Sequence, residues 1–410
     1  MNENLTVIVG GGISGLSCAR YLQERKMPFL LLEASSRLGG RVQTDRLDGF
    51  LLDRGFQIFL TAYPEAKNLL DYKKLNLKSF YPGAMVRYRG GFHTLSDPWT
   101  RSQATLKTLF SPVGNAADKI RIASVRTRAR MLSLDEIMNQ PDGTTISAIK
   151  EIGFSDTMTE SFLRPFFSGI FLESELNTSR RIFDFVFRML ASGENTLPEN
   201  GMAAIPEQLA SSLPEGSIRT DAEVTGIKSG SVVLRSGEEI PCGKIVLATE
   251  EPVTRKLLGI KEECQYNSQT TLYFSTGKAP IDEPLIVING EPDAFITSLS
   301  VQSNVASTYA PSGRSLIAVT LVGNPQLSDD DLVVKVKEEL SGWFSQVKDW
   351  DLLRIYRIKY SLPDQSPLAV KERLNWLGQA NGKIICGDFT ETGSINGAML
   401  AGRKAAEAIA

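Results

Sequence analysis

Gly10, Gly12 and Gly15 stand at a spacing that suits the grip on a phosphate pair. Gly10 permits a tight turn, Gly12 lets the backbone approach a pyrophosphate, and Gly15 lets a helix lie close to a strand. Ile13 and Ser14 open that helix, whose first N–H groups point toward an anion. Further on, Glu33 places a carboxylate where it can accept hydrogen bonds from both hydroxyls of a ribose. Ala34 follows it, and Arg37, Gly39, Gly40 and Arg41 set two cations around a glycine pair. A second set lies near the other end of the chain, where Gly387 and Asp388 precede Ser394, Ile395, Asn396 and Ala398. Both sets are equipped to hold a nucleotide, and neither pairs a nucleophile with a base.

The elements that must position these residues are legible in the hydrophobic pattern. An apolar run from Val7 to Val9 leads into the glycines, Leu16 to Leu22 shows helical spacing, and Phe29 to Leu32 gives another strand, which makes a βαβ unit. Ile384 to Cys386 reads as a buried strand, and a helix opens from Gly393. Ala398, Ala401, Gly402 and Ala405 give this helix a face of small residues that can approach other backbone. Its positive end would stabilise negative charge on a ligand.

The run Glu33-x-x-x-Arg37-x-Gly39-Gly40-Arg41 resembles the FAD-binding start of the superfamily of flavin amine oxidases, protoporphyrinogen oxidases and phytoene-type desaturases. Asp53-Arg54-Gly55-Phe56-Gln57 is similar to the element that approaches the flavin ring there, so Gly55, Phe56 and Gln57 are implied contacts. The stretch with Gly201, Met202, Pro206 and Leu209, and the Tyr360 and Pro363 pair, resemble further parts of the same superfamily. So does the Gly387-Asp388 and Gly393-Ser394 signature, which implies that Asp388 binds the ribityl or phosphate side. By the same resemblance Val224 meets the adenine, and Ala248 and Thr249 border the cofactor. The implied FAD is non-covalent, because no cysteine lies near Ser394 and Asn396.

The resemblance implies an α/β fold: a Rossmann-type FAD-binding domain, with a doubly wound sheet plus a β-meander, and an inserted α+β substrate domain. The FAD-binding domain is expected over 1–75, 195–262 and 364–410, and the substrate domain over 76–194 and 263–363. Within the first, three strand-like pieces at Glu223 to Ile227, Val232 to Leu234 and Lys244 to Ala248 are expected to form the meander. Residues from about Ser96 to Ala191 read as long helices. They hold Phe162, Phe166, Phe167, Phe171, Phe183, Phe185 and Phe187, which suit a core and also the wall of a cavity for a hydrophobic substrate.

Composition narrows the class. The chain has 410 residues, enough for roughly two domains. Its 42% apolar and 22% charged residues describe a globular protein, and a net charge of -2 argues against nucleic acid as a partner. Cys18, Cys242, Cys264 and Cys386 lack metal-ligand spacing and read as buried thiols of a reducing compartment. The first strand begins by about Leu5 and no apolar run approaches the ~20 residues that span a bilayer. A cytoplasmic or membrane-peripheral protein without a leader is expected. Arg101, Lys107, Lys119, Arg121, Arg126, Arg128 and Arg130, with Asp118 the one acid among them, form either a solvated helix face or a docking surface for anionic lipid.

The chemistry that remains is redox. There is no second glycine fingerprint for NAD(P)H, no metal-ligand cluster, and a single histidine, His93, beside a Gly90-Gly91 turn. Amine oxidases of the superfamily usually carry a lysine ahead of a Tyr-Tyr or Tyr-Phe pair. Here Gln269, Thr270 and Thr271 precede Tyr273 and Phe274, and the lysine is absent. The resemblance therefore implies a desaturase-like or dehydrogenase-like oxidoreductase that moves a hydride from a hydrophobic or amine-type small molecule to flavin N5. Its electron acceptor would be a quinone or oxygen. The catalytic base is not identified by any motif. The alternative is a non-redox flavoprotein such as an isomerase, or a non-catalytic escort protein on the same fold.

Overall fold

The computed structural model describes residues 4–96, 111–261, 264–378, 380 and 382–409. Its first sheet is parallel, in the order Ile218–Arg219, Phe29–Leu32, Thr6–Val9, Lys244–Leu247 and Ile384–Ile385. Val7 and Ile8 are fully buried and Val9 nearly so, as expected where helices cover both faces of a parallel sheet. The chain runs outward in both directions from Thr6–Val9, so a crevice forms at the carboxyl end of that strand, beside Gly10. The helix Ile13–Glu24 fills one side of it and packs against the helix Ile395–Glu407. Their approach depends on Gly402, where a Cβ would come within 2.6 Å of the Ser14 carbonyl oxygen.

One expectation about this sheet needs correction. The meander consists of Val224–Lys228, Ser231–Leu234 and Glu239–Pro241, whereas Lys244–Leu247 pairs in parallel with Thr6–Val9. Gly243 and Lys244 donate to the Leu5 carbonyl, which directs the chain out of the meander and into the sheet. Val246 and Leu247 are fully buried there.

The second sheet has seven strands, in the order Asp351–Pro363, Tyr266–Thr276, Ser315–Val322, Ser298–Val301, Ile286–Asn289, Gly83–Tyr88 and Gly91–Ser96. Leu272, Phe274, Ile317 and Val319 on one face pack with Leu332, Val336 and Leu340 of the helix Asp329–Ser341. Thr271 and Tyr273 alternate with them and so point the other way, toward residues 53–57. His93 lies in the terminal hairpin with Nε2 3.1 Å from the Tyr88 carbonyl oxygen, in keeping with a structural role.

Helices occupy most of 116–192. Phe167 lies at the centre of the aromatic group, with ring centroids 4.9 Å from Phe183, 5.3 Å from Phe171 and 5.6 Å from Phe187. Phe167, Phe171, Phe183 and Phe185 are buried core, while Phe162, Phe166 and Phe187 are half-buried. Asp118 is fully buried and serves the helix Ala116–Met131 as the third member of a capping box with Asn115. It also accepts from Ser155 N at 2.8 Å and Ser155 Oγ at 2.5 Å. Arg101 and Lys107 lie outside the described residues. No disulfide joins the cysteines; Cys18, Cys242 and Cys386 are buried and Cys264 is half-buried. Among the described residues no helix is long and apolar enough to cross a membrane.

Candidate functional site

The glycine turn is built by close approach. Gly10 has φ of +112°, a region that L side chains rarely adopt, and a Cβ on it would stand 2.6 Å from the Ala248 carbonyl oxygen. A Cβ on Gly15 would stand 2.0 Å from the Gly10 carbonyl oxygen. Gly12 differs from both: its φ is an ordinary -75°, and a Cβ would meet nothing within 4 Å. The one glycine of the three with open space beside it is the one assigned to a pyrophosphate. Ile13 and Ser14 begin the helix directly after it and are buried.

Glu33 ends the neighbouring strand and closes the turn. Its Oε2 accepts from Gly11 N at 2.8 Å, and its Oε1 accepts from Ser35 N at 2.9 Å and Ser35 Oγ at 2.8 Å. Each carboxylate oxygen has two lone pairs, so Oε2 keeps acceptor capacity for a ribose hydroxyl. Ala34 is exposed beside it. Ala222 N donates to the Glu33 carbonyl at 2.8 Å, which brings Val224 and the meander to the same end of the sheet. Ala248 N is held by the Val9 carbonyl at 2.8 Å, and the Thr249 hydroxyl lies 2.7 Å from that of Thr254.

The second signature folds back onto the first. Gly39 N donates to the Gly11 carbonyl at 2.8 Å, and a Cβ on Gly40 would lie 3.3 Å from the Gly12 Cα. Arg37 turns away to Asp45 at 2.7 Å. Burial opposes the Asp45 charge, but hydrogen bonds from Arg54, Arg37 and Tyr356 hold its carboxyl down at about 2. Arg41 reaches across the crevice instead. Its Nη2 donates to Asp388 Oδ1 at 2.5 Å and its Nη1 to the Ser361 carbonyl at 3.0 Å. Burial pushes Glu250, 3.9 Å from Arg41 Nε, up from its ordinary value, with Arg41 opposing.

The remaining expected residues divide. Gln57 Nε2 donates to the Arg41 carbonyl at 2.9 Å and Phe56 N to Thr271 Oγ1 at 3.3 Å, so the 53–57 segment joins Arg41 to the substrate-side sheet. Gly55 has φ of +84°, and a Cβ there would lie 2.7 Å from Gln269 Oε1. Gly387 precedes Asp388 with extended backbone, and Ser394 caps the last helix by accepting from Gly397 N at 3.0 Å. Ile395 and Ala398 lie in its first turn. Asn396 is engaged elsewhere: its Oδ1 accepts from Glu65 N at 3.1 Å.

Sequence reasoning did not assign Tyr266 or Gln43. The Tyr266 hydroxyl is buried without a hydrogen-bond partner, close enough to Arg41 and Asp388 to feel both charges, and Gln43 Oε1 is likewise unpartnered. An unsatisfied buried polar group costs about 1–3 kcal/mol. Phosphate oxygens or ribityl hydroxyls would satisfy the Tyr266 donor, so these residues fit a dinucleotide. The only signal available was position, since Gln43 lies two residues past Arg41 and Tyr266 just ahead of the stretch that lacks the lysine.

Comparisons agree with this geometry. The solved structure of a putative protoporphyrinogen oxidase from Exiguobacterium sp. 255-15 superposes with a TM-score of 0.74 at 19% identity, covering 100% of this chain and 99% of that one. A putrescine oxidase gives 0.73 at 13% identity, covering 98% of both chains. The 15-cis-phytoene desaturase of Synechococcus elongatus is 22% identical over 94% of this chain and 78% of its own length. The coproporphyrinogen III oxidase of Bacillus subtilis is 41% identical, but over 70 residues that make up 16% of this chain and 15% of that protein. The family model described as flavin containing amine oxidoreductase matches residues 13–410. This chain therefore belongs to the flavin-containing amine oxidoreductases and is an FAD-dependent oxidoreductase of the amine oxidase and desaturase group.

Proposed function

We propose that the protein removes a hydride from a hydrophobic or amine-type small molecule, in the manner of a desaturase or dehydrogenase, and passes the electrons to a quinone or to oxygen. The observation that carries this reading is the contact between the two chain ends: Gly40 lies on Gly12, and Arg41 of the same loop is paired with Asp388. FAD, when bound there, supplies the two-electron acceptor. Gly12, Ile13 and Ser14 would meet the pyrophosphate in a turn that Gly10, Gly15, Gly39 and Gly40 shape, Glu33 would hold the ribose, and Arg41 and Asp388 the phosphate and ribityl side. The positive end of Ile395–Glu407 favours negative charge next to it. Gln269, a neutral amide, occupies the strand position that faces Gly55, so no ammonium group stands there.

Purified protein is expected to be yellow, and its visible absorbance to bleach under anaerobic titration with the right substrate. A colourless protein removes the cofactor assignment. A yellow protein whose flavin is reduced only by dithionite, while it converts a substrate, replaces the oxidoreductase reading with the isomerase one.

The helix Ala116–Met131 adds a proposed partner. Ile120 is 70% and Met131 79% exposed, and they border a groove of about 630 Å³ that Arg128 also lines. Apolar side chains beside arginines suit a surface of anionic lipid. Vesicles with about a third phosphatidylserine are expected to bind the protein at 20–50 mM salt and to release it at about 0.5 M, as screening over a few ångströms predicts. Binding that ignores salt, or no binding at low salt, removes this proposal.

A further inference from the structure

Asp53 is fully buried, yet no arginine, lysine or histidine among the described residues pairs with it. Its partners are neutral. Oδ1 accepts from Thr44 Oγ1 at 2.5 Å and from Met202 N at 2.9 Å, and Oδ2 accepts from Tyr309 OH at 2.8 Å. Its own carbonyl accepts from Tyr273 OH at 2.9 Å. These donors come from four segments: the strand Thr44–Leu47, the turn ahead of the helix Ala204–Ser211, the turn Ser307–Tyr309 and the strand Tyr266–Thr276. Thr44 is the strand partner of Asp53 in a two-stranded sheet of their own, Met202 leads into a helix that packs on Ile13–Glu24, and Tyr273 lies in the seven-stranded sheet. Asp53 stands two residues before Gly55, so whatever fixes it fixes where the 53–57 segment sits.

A buried anion without a counter-ion is expensive, and an apolar or amide side chain of similar shape would cost less. Three donors converge on the carboxylate. Protonation would turn one of its acceptor positions into a donor that faces another donor, so Thr44, Met202 or Tyr309 would have to rearrange.

We propose that Asp53 is a positioning residue, whose hydrogen bonds lock the turn at Met202 and the side of the seven-stranded sheet that carries Tyr273 and Tyr309 around the 53–57 segment in the geometry that binds FAD, and that this lock is kept at the expense of stability. The inference rests on the cofactor reading above. The titratable groups that face Asp53 are Tyr309 and Tyr273, with the Tyr356 ring 6.0 Å behind Tyr273. Burial pushes the Asp53 carboxyl up to about 6 from its ordinary 3.8, against the pull of hydrogen bonds from Thr44, Met202 N and Tyr309. A raised value in the folded protein means that ionisation opposes folding. The contribution of Asp53 to stability is thus whole below about 3.8 and lost as pH rises through about 6. FAD affinity should move the other way, because the ionised form is the one that three donors hold.

The full chain with Asp53→Asn separates these roles. At pH 7.5 the variant is expected to melt at a higher temperature than the wild type and yet to bind FAD at least tenfold more weakly. Its FAD affinity should also lack the wild-type inflection between pH 5 and 7, measured by quenching of FAD fluorescence. If Asp53 is only structural, melting temperature and FAD affinity fall together at every pH, and the proposal is overturned. Should Asp53→Asn not fold, Tyr309→Phe serves instead: with one donor gone the inflection moves to higher pH, and an unmoved inflection overturns the proposal. A wild type that melts as expected across this pH range but binds no FAD sinks the cofactor reading, and the melting comparison still reads Asp53.

Discussion

Gly12→Val should give a folded protein that has lost its FAD, while Gly15→Val should give no folded protein. The two glycines are three residues apart and stand in opposite surroundings. At Gly12 the backbone is in a conformation open to any residue, and a side chain would project into free space. Substitution there is expected to change stability by no more than about 0.5 kcal/mol, the range of surface changes. The same free space is where a pyrophosphate would lie, so the added isopropyl group should weaken FAD binding by at least about 100-fold, or roughly 3 kcal/mol. At Gly15 the space belongs to the protein. A Cβ would overlap the Gly10 carbonyl oxygen at 2.0 Å and crowd the Ala248 Cβ at 3.2 Å. Neither can retreat, because Gly10 lies in the turn that joins Thr6–Val9 to the helix and Ala248 N is tied to the Val9 carbonyl at 2.8 Å. Overpacking costs about 1–3 kcal/mol even where side chains can shift. Against backbone the cost should reach about 5 kcal/mol, comparable to the whole margin of a small domain. Urea unfolding and FAD stoichiometry measure the two effects separately. A Gly12→Val protein that retains full FAD would remove the pyrophosphate from this turn.

Arg373→Leu should lower the unfolding free energy by about 3 kcal/mol, seen as a lower denaturant midpoint. Glu251 is fully buried and accepts from three residues: Arg373 Nε to Oε2 at 3.0 Å, Arg255 Nε and Nη2 to Oε1 at 3.0 and 2.6 Å, and Trp376 Nε1 to Oε1 at 3.1 Å. Arg373 also donates to the Asp364 carbonyl at 3.0 Å. Its removal strips Oε2 of its guanidinium in a site closed to water, which is why the expected cost exceeds that of a surface pair by several-fold. The figure stays at the low end for a broken buried pair because Arg255 and Trp376 remain on Oε1. Trp376 stacks on Phe389 with centroids 6.0 Å apart, and Phe389 in turn leaves room at Gly387 for no side chain. Loosening Trp376 should therefore also weaken FAD binding through Asp388. An unchanged midpoint would show that water reaches Glu251.

What was legible in the sequence was local. Gly10, Gly12 and Gly15 work within six residues of one another, so their spacing alone describes the turn, and the short C-terminal strand and helix were found for the same reason. The third meander strand was misplaced because Lys244 to Leu247 is a short apolar run that fits an edge or a centre equally well. Only the partner, Thr6–Val9, decides, and it is made more than 200 residues earlier. Asp53 was quoted as part of an element, but its role escaped because its donors lie at positions 44, 202 and 309. Tyr266 escaped for a different reason: an unpartnered hydroxyl is a property of its surroundings and leaves no mark on the residues beside it. The phenylalanine group suits both a core and a cavity wall by its sequence, and only burial separates Phe167, Phe171, Phe183 and Phe185, which are core, from the half-buried Phe162, Phe166 and Phe187.

The seat of Gly402 on the backbone of Ser14 to Cys18 also sets when this protein can become compact during synthesis. The helix Ile13–Glu24 leaves the ribosome long before its partner Ile395–Glu407, and Lys244–Leu247 waits for its edge partner, Ile384–Ile385, from the same late segment. At about 5–20 residues per second the nascent chain carries an uncovered apolar helix face for on the order of 20 to 80 s. Chaperone demand should therefore be high, and a ribosome stalled before Ile384 should yield an aggregation-prone product rather than a functional half.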